Sequence, residues 1–188
     1  MTKNILVVIG HPDPAPARYG RVLAQAYMRG AQSAGHTVEV IDVAGLDFPV
    51  LRSKAEYESG EIPPGLREAR AKIGRAQHLV MIFPLWLGEM PALLKGFLEQ
   101  VMRLDMSGGG ARPLKGKSAR IIVTMGMPAL VYRFVFRGHG IKNLKRNILG
   151  FCGVRPVKCS LIGSIEGKNP GPREKWLNKA EALGKQGD

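Results

Sequence analysis

Two periodicities of hydrophobic and polar positions alternate along the chain. Five short runs are mostly apolar and are bounded by Gly, Pro or polar residues, as is typical of strands buried on both faces. Between them, apolar residues recur at intervals of three and four, which predicts amphipathic helices. The predicted strands are residues 4–9, 37–42, 78–83, 118–124 and 155–162. The predicted helices are residues 18–34, 66–76, 89–103, 128–136, 141–151 and 172–185.

This βα alternation predicts an α/β protein, a parallel sheet with helices on both faces. With 188 residues, 45% of them hydrophobic and 23% charged, the chain has the size and balance of one domain, residues 1–188. No apolar run approaches the roughly 20 residues of a membrane span, and the run at Ile5 to Ile9 is too short for a signal peptide. Cys152 and Cys159 suit reduced thiols. We therefore expect a cytoplasmic protein without an integral membrane segment.

The formal net charge of +13 raises the question of nucleic-acid binding. Basic residues are spread from Lys3 to Lys185, and the densest group, at Lys142, Lys145 and Arg146, has no aromatic residues interleaved with it. A stacking platform for single strands is therefore absent, and we do not expect the chain to bind nucleic acid. The positive field would also attract a small anionic cofactor.

In an open parallel sheet, ligands bind where the carboxyl ends of the strands meet at the switch point. The loops expected there are residues 11–18, 84–88 and 125–128. The alternation alone is compatible with a flavodoxin-type sheet, a Rossmann half or a receiver domain. The loop after the first strand lacks Gly-x-Gly-x-x-Gly, and the acidic pair and Lys of a receiver are missing. The four His and two Cys show no metal-ligand spacing, so no metal site is predicted.

The most informative stretch is residues 83–99, FPLWLGEMPALLKGFLE, which joins an apolar strand to an amphipathic helix through an aromatic loop. Its Phe-Pro, aromatic residue and Pro-Ala-x-Leu-Lys-Gly resemble a motif of the flavodoxin-like NAD(P)H:quinone reductases, of the DT-diaphorase and modulator-of-drug-activity type. Three further segments support the resemblance in chain order: Gly10-His11-Pro12, residues 46–51, and Thr124-Met125-Gly126 followed by Tyr132 and His139.

The resemblance implies a flavodoxin-like three-layer sandwich with a five-stranded parallel sheet in the order 2-1-3-4-5. It also implies a bound flavin, with FMN slightly favoured over FAD, and NAD(P)H as electron donor. Two electrons would pass by hydride transfer to the flavin and then to a quinone or similar acceptor. Relatives of this type are homodimers, and the apolar run from Leu130 to Phe136 would suit such an interface. The alternative is a regulatory partner with the same fold, like the ancillary subunits of potassium-efflux systems.

The residues that the resemblance places against the flavin lie in three loops: His11, Arg18 and Tyr19; Pro84, Leu85, Trp86 and Leu87; and Thr124, Met125, Gly126 and Met127. The first loop would hold the phosphate at a helix N-terminus, and the others would form two walls around the ring. Tyr132 and His139 are the predicted catalytic residues, which would help to delocalise charge during hydride transfer. Structural alternatives remain open: turn stabilisation for His11, core packing for Trp86 and Tyr132, and a helix stop for His139.

The chain departs from the family pattern in two places. Where the family has Ser-Phe-Asn at the entry to the first helix, this chain has Arg18-Tyr19-Gly20. Where the family carries Gly-Phe-Ala-Tyr beside the flavin, this chain has a short Gly-rich segment at residues 104–110. Both positions belong to loops that would hold the cofactor, so the choice between FMN and FAD stays open.

Overall fold

The computed structural model describes residues 2–59, 61–103, 112–167 and 171–188. Its five parallel strands form one sheet in the order β2-β1-β3-β4-β5. The strands are β1 (Asn4–Ile9), β2 (Thr37–Asp42), β3 (His78–Pro84), β4 (Ser118–Thr124) and β5 (Val157–Ile162). This order confirms the predicted flavodoxin-type sheet and places the carboxyl ends of β1, β3 and β4 side by side.

The strand bounds were predicted to within two residues. The fifth strand begins at Val157 rather than at residue 155, and the preceding residue, Pro156, has no N–H with which to join a ladder. The third strand runs one residue further than predicted, to Pro84.

Seven α-helices are described: α1 (Tyr19–Ser33), α2 (Lys54–Ser59), α3 (Arg67–Arg75), α4 (Ala92–Val101), α5 (Ala129–Phe134), α6 (His139–Asn143) and α7 (Gly171–Gln186). The predicted helix over residues 141–151 is in fact the end of α6 followed by a π-helical turn, Leu144–Leu149. The predicted start of α4 at residue 89 was wrong, because Glu89 is paired with Trp86 in a tight turn and Pro91 caps the helix.

Three layers result from this arrangement. Alternate residues of β1 point to opposite faces: Leu6 and Val8 pack into the core under α3, α4 and α6, whereas Ile5 and Val7 pack under α1 and α7. β3 is buried along its whole length, as expected for a central strand covered on both faces.

Two glycines allow α1 and α7 to pack closely. A Cβ at Gly30 would lie 2.0 Å from the carbonyl oxygen of Glu181, and a Cβ at Gly184 would lie 2.0 Å from that of Tyr27. Neither position could hold a larger residue without separating the helices.

Candidate functional site

The loop after β1 is held by its own side chains. The Asp13 N–H donates to His11 Nδ1 (3.0 Å), and the Ala15 N–H donates to Asp13 Oδ1 (2.8 Å). The buried guanidinium of Arg21, on α1, donates to the carbonyl oxygen of Asp13 (2.9 Å) and to the carboxylate of Asp42 at the end of β2 (2.9 Å). Arg21 thus fixes the loop against α1 and β2.

His11 belongs to the site in a neutral form. Burial lowers the pKa of His11, and the nearby Asp13 carboxylate opposes that shift without reversing it. Because Nδ1 accepts a hydrogen bond, we assign the proton to Nε2. The His11 ring meets Trp86 edge to face, with ring centroids 6.2 Å apart. The loops after β1 and β3 therefore meet, as the sheet order requires.

The N-terminus of α1 offers backbone donors for an anion. The helix has no side-chain cap, and among the described residues the N–H groups of Tyr19 and Gly20 have no hydrogen-bond partner. Arg18 is exposed and forms an ion pair with Asp13, and its Nε donates to Asp13 Oδ2 (2.7 Å). The hydrogen bonds from Ala15 and Arg18 lower the pKa of Asp13, so this carboxylate is ionised beside the helix N-terminus.

The side chain of Tyr19 points away from this end of the helix. Its hydroxyl donates to the carbonyl oxygen of Arg173 on α7 (2.8 Å), and burial raises the pKa of Tyr19 to about 12. Tyr19 can therefore serve an anion through its backbone N–H only.

The loop after β3 contains a tight turn of unusual geometry. Trp86 and Glu89 exchange two backbone hydrogen bonds, of 2.9 and 3.0 Å. The two residues between them both have left-handed backbones, with φ of 50° at Leu87 and 83° at Gly88, as in a type I′ turn. A leucine rarely adopts this conformation, and the side chain of Leu87 is fully exposed. Such local strain is typical of functional loops.

The turn determines which backbone donors face outward. Pro84 has no N–H, Leu85 donates to the carbonyl oxygen of Thr124 (2.8 Å), and Trp86 donates within the turn. Within the described part of the chain, the N–H groups of Leu87 and Gly88 are without an acceptor. Trp86 is 49% exposed, so it is not a core residue.

The loop after β4 contributes less surface than the sequence suggested. Thr124 and Met125 are buried, and the Met125 N–H donates to the carbonyl oxygen of Ile162 (2.9 Å). Gly126 is exposed and Met127 is half-buried, so these two residues form the accessible part of this wall. A Cβ at Gly126 would lie 3.3 Å from the carboxylate of Glu166, a residue that sequence reasoning missed.

Tyr132 lies behind the turn. It is 1% exposed, and its hydroxyl donates to the carbonyl oxygen of Gly88 (3.1 Å) and accepts from the Ile141 N–H (3.4 Å). Burial raises the pKa of Tyr132, which keeps the phenol protonated. Gly140 packs closely against the same carbonyl group, and a Cβ at position 140 would lie only 2.4 Å from the Gly88 oxygen. Tyr132 thus joins the turn to the start of α6.

His139 is the first residue of α6 and is exposed. It follows Arg137 and Gly138, which both have left-handed backbones that end one helix and begin the next. The structure therefore places His139 at the surface and Tyr132 in the interior. The Gly-rich segment at residues 104–110 lies outside the described residues.

Arg21, Gly88 and Glu166 are the site residues that the sequence analysis did not single out. The sequence does carry a signal for Arg21, because its position falls on the buried face of α1, where a charged side chain requires a partner. Among the described residues, no cluster of His, Cys, Asp or Glu is arranged to hold a metal ion. In the same part of the chain, no helix combines the length and apolarity needed to cross a bilayer.

Residues 3–185 match a family model described as a flavodoxin-like fold, and the chain belongs to that family. Within it, the chain is 25% identical over 171 residues to a Haemophilus influenzae protein named as an uncharacterized NAD(P)H oxidoreductase, covering 86% of this chain and 84% of that one. The solved structure of an NAD(P)H:quinone oxidoreductase from Methanothermobacter marburgensis superposes with a TM-score of 0.79 at 26% identity, covering 99% of this chain and 97% of that one. These findings confirm the predicted family and fold.

A third similarity concerns an ancillary protein of a transport system. The chain is 30% identical over 135 residues to an Enterobacter glutathione-regulated potassium-efflux system ancillary protein, covering 70% of this chain and 63% of that protein. The chain also spans only 57% and 58% of the lengths of two further curated relatives.

Proposed function

We propose that this chain binds FMN at the carboxyl edge of its sheet and transfers two electrons from NAD(P)H to a quinone-type acceptor. The broader class, an NAD(P)H oxidoreductase, is the one that the names of these relatives give. The observation that carries the proposal is the Leu87–Gly88 turn, with two free N–H groups beside an exposed indole.

These features fit a flat, partly apolar ring system that carries polar atoms at its edge. Trp86 offers an apolar surface, and His11 supports it edge to face. The N–H groups of Leu87 and Gly88 can donate to the carbonyl oxygens and nitrogens of the ring edge. Fixed donors of this kind favour the electron-rich form of a cofactor, because they are oriented before charge develops. When bound, the flavin supplies the chemistry of accepting a hydride and releasing two electrons.

The N-terminus of α1 fits the phosphate of the same cofactor. The free N–H groups of Tyr19 and Gly20 and the positive end of the helix dipole favour an anion there. The ionised Asp13 opposes it, so Arg18 must turn from Asp13 towards the phosphate, or bridge the two. Because the two N–H groups and the one neighbouring arginine, Arg18, match a single phosphate group rather than a diphosphate, we favour FMN over FAD.

Two side chains complete the proposed mechanism. Tyr132 holds the carbonyl group of Gly88 and so positions the turn, which makes it a positioning residue rather than one that touches the ring. His139 is exposed at the N-terminus of α6, and histidine is the side chain that most often serves as a general acid or base. We propose that it protonates the reduced acceptor.

We further propose that two copies of the chain form a dimer in the cytoplasm. The surface of α5 and the residues after it is unusually apolar, with Leu130, Phe134, Val135 and Phe136 all more than half exposed. Exposed patches of this kind mark interaction surfaces. Sedimentation analysis would test this, with Phe134→Ser and Val135→Ser expected to yield monomers.

A second candidate function is regulatory binding to another protein, and the similarity to the potassium-efflux ancillary protein favours it. Such a role would use the same pocket with little turnover. The two functions differ in one measurable quantity, the rate at which NADPH is consumed.

The test is a visible absorption spectrum of the purified chain after addition of FMN or FAD and removal of the excess, followed by NADPH without oxygen. Retained flavin that bleaches on NADPH addition and recovers with a quinone is the expected result, with FMN retained more fully than FAD. Retained flavin that does not bleach would favour the regulatory role. Failure to retain either flavin would overturn both.

A further inference from the structure

A groove follows the outer edge of β5 on the side of the molecule away from β2. Its volume is about 790 Å³. It is bounded by α5 and α6 from one helical layer, by the middle of β5, and by α7 from the other layer. We call this cavity the edge groove. The residues used below are Arg133, Arg137, Lys142, Lys145, Cys159, Trp176 and Lys179, all of which line it.

The edge groove is strongly and one-sidedly charged. Five of its lining residues are Arg or Lys, and among its described lining residues none is acidic. In the described part of the chain, none of these five cations takes part in an ion pair. Some basic side chains elsewhere do form ion pairs, as Arg75 does with Glu39 and Glu68. Unpaired like charges in one cavity repel each other, and a bound anion would remove that cost.

The groove also has an aromatic and apolar wall. Trp176 on α7 is half-buried and packs against the core under α1 and α7, and the Lys179 ammonium lies over its ring, 4.4 Å from the centre, so a base that contacts the indole would take the place of that ammonium. Phe134 on α5 and Leu161 on β5 add apolar surface to the lining. An apolar wall beside several cations suits a ligand that has both a flat ring and phosphate groups.

We propose that the edge groove binds a nucleoside phosphate, with the base against the apolar wall at Trp176 and the phosphates among the lysines and arginines. The volume lies in the range of small-molecule sites. A longer nucleic acid would need a series of stacking side chains along its path, whereas this groove offers one indole.

The ligand has two possible sources that share this chemistry. One is the adenosine end of the dinucleotide that reduces the flavin, a version that rests on the proposed function. Tyr132 lines the groove and holds Gly88 at the candidate flavin site, so the two sites share a wall. The other source is a separate nucleotide that regulates the protein.

The test of location uses Cys159, which is exposed in the groove, while Cys152 is buried. The purified full chain is treated with N-ethylmaleimide, and labelling of each cysteine is followed by mass spectrometry with and without adenosine 2′,5′-bisphosphate. We expect saturating nucleotide to slow labelling of Cys159 roughly tenfold or more, since a ligand would cover the thiol. Binding by calorimetry without protection of Cys159 would overturn the location.

The test of charge compares two double variants. Lys142→Glu/Lys145→Glu reverses two groove charges three residues apart. Arg67→Glu/Arg70→Glu makes the same change at the same spacing on α3, where both side chains are exposed. We expect the groove variant to bind adenosine 2′,5′-bisphosphate at least about tenfold more weakly, because charge-assisted contacts are lost. We expect the α3 variant to bind as the parent does. If both variants lost the same affinity, the loss would come from the change in net charge and not from the groove, and the proposal would be overturned.

Two further measurements distinguish the reducing dinucleotide from a regulatory nucleotide, and a mononucleotide from a nucleic acid. If the groove holds the reducing dinucleotide, the groove variant raises the KM for NADPH at least about tenfold while retained flavin and its spectrum are unchanged. If the nucleotide is regulatory, binding is lost but the KM is not altered. An oligonucleotide that binds far more tightly than the mononucleotide would overturn the proposal in favour of nucleic acid. Nucleotide binding by a chain that retains no flavin would support the groove while the proposed function fails.

Discussion

Trp86 gives the candidate site its apolar surface. Its side chain is half exposed beside His11, so the folded chain gains little from burying it. We expect Trp86→Ala to weaken flavin binding about tenfold or more, as the loss of a large aromatic contact predicts. The free energy of unfolding should change by less than about 1 kcal/mol. Quenching of flavin fluorescence measures the affinity, and urea unfolding measures the stability.

The control for Trp86 is Phe151→Ala. Phe151 is 61% exposed and lies just beyond the π-helical turn, away from the three loops of the site. The Phe151→Ala variant should bind flavin with the affinity of the unchanged protein. Unchanged flavin affinity in Trp86→Ala would mean that the indole does not touch the ring.

The Tyr132→Phe variant tests whether the buried phenol supports flavin binding by holding the backbone of the Leu87–Gly88 turn. Its hydroxyl donates to the carbonyl oxygen of Gly88, and Tyr132→Phe removes that bond while it keeps the ring. We expect a loss of about 1 kcal/mol in stability and about fivefold in flavin affinity, because the Leu87–Gly88 turn is less firmly held. The rate at which NADPH reduces the bound flavin should change little. Stopped-flow reduction of the saturated protein measures that rate.

Tyr27→Phe is the matched control for Tyr132. Tyr27 is also wholly buried, but its hydroxyl has no partner among the described residues. Removing that hydroxyl should leave flavin affinity unchanged and should be neutral or slightly stabilising. A large fall in reduction rate with normal affinity in Tyr132→Phe would instead make Tyr132 a direct catalytic residue.

The residues of the site were only partly predictable, for a physical reason. The order of the apolar runs places the loops after β1 and β3 at the switch point, and in the structure His11 and Trp86 of those loops are in contact. Backbone geometry inside a loop is not encoded in a periodic pattern. Leu87 adopts a left-handed backbone that a leucine disfavours, and nothing in the sequence predicts it. Backbone donors were expected in this loop, but that the free ones are those of Leu87 and Gly88, and not those of Leu85 and Trp86, follows from the turn and became visible only in the structure.

At the level of elements, the contact between α1 and α7 depends on two glycines. A Cβ at Gly30 would meet the backbone of Glu181 at 2.0 Å, and backbone atoms cannot rotate away as side chains do. We expect Gly30→Ala to destabilise the fold by about 2–3 kcal/mol through forced separation of the helices. Gly74→Ala on α3, where nothing lies within 4 Å of the added Cβ, should instead stabilise by about 0.5–1 kcal/mol. Urea unfolding of both variants measures the difference in the free energy of unfolding. Equal effects would contradict the close packing of α1 against α7.

Among the described α-helices, α2 is the one that the sequence analysis missed, and it lacks a hydrophobic period. α2 is exposed along its whole length, so its residues carry no apolar face to detect. The strands were predicted well because burial on both faces leaves an uninterrupted apolar run, as at Ile5 to Ile9. A hydrophobic period arises where one face of an element is buried, so an element that buries no face cannot be predicted from it.

At the scale of the whole molecule, the end of the sheet opposite the candidate site holds a buried polar cluster. His78 Nδ1 lies 2.7 Å from Ser118 Oγ, and Arg120 donates to Ser160 (2.9 Å) and to Asp188 (3.1 Å). In the described part of the chain, His78 Nε2 and Arg120 Nε are buried without partners. This end of the protein is therefore sensitive to added charge.

Acid should destabilise the protein through His78. Burial, together with the positive charges of Lys3, Arg120 and Lys158, lowers the pKa of His78 to about 4, and Asp188 opposes this only in part. The unfolded chain takes up the proton near the ordinary value of about 6.5, so it binds more protons than the folded chain between these two pH values. Stability is therefore full above about pH 6.5 and falls as the pH drops towards 4, by up to about 3 kcal/mol.

Urea unfolding between pH 7 and pH 4 measures this fall against a matched pair of variants. His78→Asn removes the titrating group and should flatten the pH dependence over that interval, even if the variant is less stable at pH 7. His139→Asn removes an exposed imidazole and should keep the slope of the parent. If the slope survives in His78→Asn, the acid sensitivity comes from other groups. The protein's positive charge, which grows as carboxylates are protonated, would then be the cause, and added salt would reduce the effect.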